Sequence, residues 1–92
     1  MDMSRYDLIR PDIIESLNAY AEHGRPTGHF LGAVLSNDLF GAVGKADSDN
    51  IETLALICSY IYNKLPAICW GSRDKVLGWL KQKREEREPA RS

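Results

Sequence analysis

The stretch "RPTGHFLGAVLSNDL" (Arg25–Leu39) decides the fold, because it joins a turn directly to a strongly apolar run. Thr27 stands where a helix N-cap is expected, since its hydroxyl can accept a hydrogen bond from a free backbone N–H. Apolar side chains then recur three and four residues apart as far as Val43, which is the spacing of one helix face. The stretch therefore predicts a helix that begins after Thr27 and ends near Gly44.

The segment before this turn predicts a first helix. Pro11 suits the first helical position, and Gly24 suits the position just past the end. Between them, apolar residues including Leu17 and Tyr20 fall on one face. Tyr20 is accordingly expected in the core.

Two further helices are predicted downstream. The third is capped by Ser48 or Asp49 and stops near residues 63–65, before Pro66. Its broad apolar face indicates burial on two sides, one of them at a subunit contact. The fourth is capped by Ser72 and is expected to fray from Lys81 onward, where apolar anchors end.

Together these patterns predict an all-α protein, a small bundle of three to four helices. Residues 1–80 form one domain, and residues 81–92 form a charged tail that is frayed or disordered. A core built from 92 residues is thin, and oligomerisation is a common way to add buried surface. Glycines inside the second helix are expected where another backbone approaches closely, and a homo-oligomer is the expected state.

Composition argues against several classes of function. The net charge is −1, whereas a dedicated duplex DNA binder usually carries a basic excess. A helix-turn-helix formed by the second and third helices would present an acidic start to phosphate, which opposes DNA binding. No apolar run has the length of a membrane span. Cys58 and Cys69 form no disulfide or zinc pattern, so a cytosolic location with free thiols is expected.

Patterns for catalysis and metal binding are weak. His23 and His29 are six residues apart across a turn, and no cysteine completes a zinc set. Ser72 and Lys75 match a bare S-x-x-K pattern without its companion motifs, and helix capping accounts for Ser72. We therefore expect no metal, no cofactor and no enzymatic activity.

Anion binding has more support. Two predicted helix starts, Thr27-Gly28 and Gly71-Ser72, carry small residues whose free N–H groups favour negative charge. Each has an arginine beside it, Arg25 or Arg73, that can make paired hydrogen bonds to phosphate. Tyr6 is an aromatic on which a base could stack. Because capping residues are common, these features taken alone favour the explanation that the residues are helix caps and solvated charges.

The strings "RPTGHFLGAVLSNDLFGAVGKAD", "YIYNKLPAICWGS" and "KVLGWL" resemble a family of small phage proteins, the anti-CBASS sponges. The resemblance covers about residues 20–80. It implies a helical protomer assembled as a homohexamer in the cytoplasm of the infected bacterial host. Such a protein sequesters cyclic oligonucleotide signals of bacterial immunity without cleaving them.

The resemblance also implies ligands and site residues. Cyclic dinucleotides such as cyclic GMP-AMP would lie between protomers, stacked on Tyr6 and held by Arg25. Cyclic trinucleotides would occupy a separate pocket, with the two helix starts at Thr27-Gly28 and Gly71-Ser72 as its candidates. Trp70 stands where a basic residue of that pocket is expected. The alternative functions are an adaptor that inhibits a host enzyme and a DNA-associated protein.

Overall fold

The computed structural model describes the backbone of residues 3–87 and the side chains of residues 6–86. All the regular secondary structure in this part of the chain is helical. A 3-10 helix spans Met3–Leu8 and another spans Ala67–Cys69; the α-helices are α1 (Pro11–His23), α2 (His29–Leu35), α3 (Leu39–Lys45), α4 (Ser48–Glu52), α5 (Leu54–Lys64) and α6 (Arg73–Arg87). The predicted all-α class is confirmed, but the described residues form six α-helices instead of three to four.

Helix α1 follows the prediction closely. Pro11 is its first residue, and Ile13, Leu17 and Tyr20 are buried. Gly24 ends the helix in the left-handed conformation, at φ 70°. Its N–H donates to the Tyr20 carbonyl at 2.9 Å, so a free carbonyl of the last turn is satisfied.

The predicted second helix is broken into α2 and α3 at "SND". Asn37 adopts φ 63°, which interrupts the helix, and Asp38 then caps α3 by accepting the Gly41 N–H at 3.0 Å. A Cβ at Gly41 would collide with the Asp38 carboxylate. Within this protomer, Gly41 thus makes room for a capping side chain, whereas we expected it to admit a neighbouring backbone.

The start of α2 also differs from the prediction. Gly28 is the N-cap residue, and no side chain caps the helix, so Thr27 as N-cap is wrong. The chain stays extended through Gly28, at φ −73° and ψ −176°, and enters the helix one residue later than expected. The first N–H groups of α2 therefore have no side-chain cap.

The predicted third helix is likewise divided, at Thr53 between α4 and α5. Asp47 caps α4 by accepting the Asn50 N–H at 2.9 Å, so Ser48 and Asp49 were wrong candidates. Arg10 holds the Asp47 carboxylate at 2.9 Å, which fixes the cap one residue earlier than predicted. Only Ile57 and Ile61 of α5 are buried in this protomer.

Helix α6 begins as predicted and continues further than predicted. Ser72 Oγ accepts the Lys75 N–H at 3.2 Å, which confirms Ser72 as the N-cap. The helix continues past Lys81 to Arg87, because Lys83 places its stem against Gly24 and its ammonium 4.8 Å from the Trp79 ring centroid. The rest of the predicted tail, residues 88–92, lies outside the described residues.

One hydrophobic core joins these helices. The buried apolar residues are Ile9, Ile13, Leu17, Tyr20, Phe30, Leu31, Leu35, Ala42, Ile57, Ile61, Leu65, Cys69 and Trp79. Tyr20 is in the core as predicted. No helix in residues 3–87 combines the length and the hydropathy that crossing a bilayer requires.

Candidate functional site

Three of the seven predicted site residues line one groove between α2 and α6. Thr27 and Gly28 come from the start of α2, and Arg73 comes from the start of α6. We call this space, of about 440 Å³, the α2–α6 groove. His29 and Lys45 line the same groove. Residues from three helices and one turn thus meet around a single cleft.

The charges of the α2–α6 groove favour an anion. Lys45 and Arg73 are exposed, and neither takes part in an ion pair among the described residues. Asp38 is the carboxylate that lines the groove, and one of its oxygens already accepts the Gly41 N–H. Two unpaired cations with a nearby hydroxyl are groups that bind phosphate oxygens well.

Sequence reasoning missed Lys45 and His29 as members of this groove. In one continuous helix, Lys45 would lie about 25 Å from Gly28, since each residue adds about 1.5 Å. The break at Asn37 folds α3 back against α2, and this brings the end of α3 to the groove. The string "SND" carries that signal, because Asn tolerates the left-handed conformation and Asp caps helices.

Tyr6 and Arg25 lie together in a different place, a shallow groove of about 950 Å³ along α1 that we call the α1 groove. Three carboxylates also line this groove, those of Asp7, Glu15 and Glu22. They oppose phosphate binding, so in a single protomer the α1 groove is the less favourable of the two for an anion.

The Tyr6 side chain is held in place by contacts with α5. Its hydroxyl lies 3.1 Å from Ser59 Oγ and accepts a hydrogen bond from Asn63 Nδ2 at 3.3 Å. Its ring meets the Tyr60 ring edge-on, with centroids 5.2 Å apart. These contacts attach the N-terminal 3-10 helix to α5. The ring is half-buried and keeps one part at the α1 groove.

Gly71 and Ser72 have structural roles at the start of α6. Gly71 adopts φ 117°, a conformation that side chains rarely tolerate, and its N–H donates to the Leu35 carbonyl at 2.7 Å. Ser72 is occupied as the N-cap. The Gly71 N–H is therefore already hydrogen-bonded within the protein and is not free to bind an anion. Neither residue lines the α2–α6 groove, which receives only Arg73 from this turn.

Trp70, which replaces the expected basic residue, is half-buried. Its indole N–H donates to the Leu65 carbonyl at 3.2 Å, and its ring lies 5.7 Å from that of Tyr62. The positive charge near this turn comes from Arg73 and from Lys75, whose ammonium donates to the Ala67 carbonyl at 3.5 Å. No group of His, Cys, Asp and Glu in residues 3–87 is arranged to hold a metal ion.

Comparison of the chain with protein-family models, with curated proteins and with solved structures yields no significant match.

Proposed function

We propose that this protein is a non-enzymatic sponge, which binds cyclic oligonucleotide second messengers and so blocks bacterial CBASS immunity against phage. The observation that carries the proposal is the α2–α6 groove, where Lys45 and Arg73, which form no ion pair among the described residues, line the same cleft as the Thr27-Gly28 turn. A cyclic oligonucleotide presents several phosphates on one compact ring. Two cations from different helices can each contact one of them, which a single solvated arginine cannot do.

The two grooves divide the proposed ligands. The α2–α6 groove is assigned to cyclic trinucleotides, and the α1 groove with Tyr6 and Arg25 is assigned to cyclic dinucleotides such as cyclic GMP-AMP. Because Asp7, Glu15 and Glu22 oppose phosphate in the α1 groove, we expect dinucleotide binding there to need a second copy of the chain. The proposed protein is accordingly a homo-oligomer, with a hexamer favoured, in the cytoplasm of the infected host.

Calorimetric titration with cyclic di- and trinucleotides tests this function. The expected result is binding at micromolar protein or tighter, with intact ligand recovered after heat denaturation. Replacing both Lys45 and Arg73 by Gln should weaken trinucleotide binding at least tenfold, since charge-assisted contacts contribute about 1.5–3 kcal/mol each. Lys64→Gln is the matched control, because Lys64 is also exposed and lines neither groove.

Absence of binding, or recovery of linear products, rejects the sponge. Equal binding by the double variant and by Lys64→Gln rejects the α2–α6 groove as its site.

One observation favours the alternative function, an adaptor that inhibits a host enzyme. Phe40 is 88% exposed and Leu39 is 60% exposed, so α3 presents apolar surface to solvent. Capture of one stoichiometric host protein, lost in a Phe40→Ser variant, would support the adaptor. Nucleotide binding without such capture would support the sponge.

A further inference from the structure

Helix α3 carries an apolar patch that this protomer leaves in solvent. Leu39, Phe40 and Val43 are 60%, 88% and 46% exposed, and their spacing places them on one face of the helix. An aromatic side chain this exposed offers about 150 Å² or more of apolar surface by itself. We call these three residues the α3 patch.

A neighbouring groove has the complementary character. It has a volume of about 530 Å³, and we call it the Tyr62 groove after the residue at its rim, which is 71% exposed. Its walls include Val34, Cys58 and Trp70. Every residue that lines it is uncharged, so an apolar side chain can enter without stripping water from a charge.

The α3 patch and the Tyr62 groove are close together along the chain. Asn37 lines the Tyr62 groove, and Phe40 follows it by three residues at the start of α3. When a patch and a groove share one face of a protomer, a two-fold axis places the patch of each copy against the groove of the other. Each copy would then insert one side chain and receive one.

We infer that two copies of this chain pair through a two-fold contact, with Phe40 of each copy in the Tyr62 groove of the other. The amount of surface supports a second copy as the occupant. The α3 patch and the groove together offer roughly 600 Å² of apolar surface per protomer, by the usual areas of such side chains. A specific interface buries about 800 Å² per protomer, which leaves the remainder for a polar rim.

The contact assigns a surface to the proposed homo-oligomer, and in that respect it rests on the proposed function. It involves neither the α1 groove nor the α2–α6 groove. Its tests are therefore run without nucleotide, and their outcome is separate from whether cyclic oligonucleotides bind.

Sedimentation velocity of the full chain is the first test. Wild type should sediment as a dimer or a multiple of dimers at tens of micromolar, and Phe40→Ser should shift it to smaller species. Leu8→Ser is the matched control, because Leu8 is 52% exposed and lies in neither the patch nor the groove. A monomeric wild type, or equal behaviour of the two variants, overturns the inference.

A disulfide test then separates this contact from other pairings. Leu39→Cys leaves Phe40 in place, and it should cross-link to Cys58 of a second copy on mild oxidation, giving a covalent dimer on a non-reducing gel. Cys69 is fully buried and should not compete. Adding Cys58→Ser should abolish the cross-link. If Leu39→Cys gives no covalent dimer, or still cross-links without Cys58, the inference is wrong.

Discussion

The Trp79 indole N–H donates a hydrogen bond of 3.0 Å to the backbone carbonyl of Tyr20, joining α6 to α1. The Tyr20 hydroxyl in turn donates to the Cys69 carbonyl at 2.7 Å. All three residues are buried. These two bonds connect the first helix, the 3-10 turn before α6 and α6 itself, so they set the position from which Arg73 reaches the α2–α6 groove.

Removing the Tyr20 hydroxyl should destabilise the fold. Tyr20→Phe keeps the ring but leaves the Cys69 carbonyl unpaired in the core, and the expected loss is about 1–3 kcal/mol in the free energy of unfolding. Urea denaturation measures it. Tyr62→Phe is the control, because Tyr62 is mostly exposed, and it should change stability by less than about 0.5 kcal/mol. Equal effects from the two variants would contradict the role of this bond.

Two glycines should respond to alanine in opposite directions. Gly24 has φ 70° and touches the Lys83 side chain, so Gly24→Ala should cost more than about 1 kcal/mol. Gly78 lies in α6, and a Cβ there would meet nothing within 4 Å, so Gly78→Ala should stabilise by about 0.5–1 kcal/mol. Thermal and urea unfolding check both signs. Stabilisation by Gly24→Ala would show that α6 does not pack against the end of α1.

Stability should fall in acid through the contacts around Arg10. The hydrogen bond from the Arg10 side chain lowers the pKa of Asp12 below its usual 3.8. The pKa of Asp47 is lowered mainly by the hydrogen bond from the Asn50 N–H and also by the one from Arg10. A carboxyl with a lower pKa in the folded state binds fewer protons there than when unfolded. Its stabilisation is therefore present above about pH 4 and is lost as the pH falls through the folded pKa.

Arg10→Gln should reduce this pH dependence. The variant should be less stable than wild type at pH 6, and the difference should be smaller at pH 3, because below about pH 4 the unfolded carboxyls already bind protons and part of the stabilisation is lost. Urea unfolding at the two pH values measures it. These groups are exposed, so 1 M salt should also diminish the difference. If the difference in the free energy of unfolding between variant and wild type is the same at pH 3 and pH 6, the ion pairs are not its cause.

The two grooves should be separable by single arginine substitutions. Arg25→Ala should weaken binding of cyclic dinucleotides, and Arg73→Ala should weaken binding of cyclic trinucleotides, each by tenfold or more. Neither change should unfold the protein, because both side chains are exposed. Calorimetry with both ligands on both variants makes the comparison. Loss of both ligands in either variant would indicate a single shared site.

What the sequence determined by itself lies within single turns of helix. Pro11 and Gly24 bound α1, Ser72 begins α6, and the apolar spacing places Tyr20 in the core. These features depend on residues no more than four positions apart, so the pattern along the chain predicts them. The breaks at Asn37 and Thr53 are also local. The apolar residues keep a helical spacing across both breaks, so the pattern predicted one continuous helix in each case.

Only the tertiary structure decided which residues share a groove. Lys45 joins Thr27 because α3 folds back on α2, and Arg73 joins them because buried contacts of α1 position α6. In the same way, Tyr6 and Arg25 line one groove together with three carboxylates that no local pattern places there. The physical reason is that a groove is made by side chains distant in sequence, whose meeting depends on how whole helices pack.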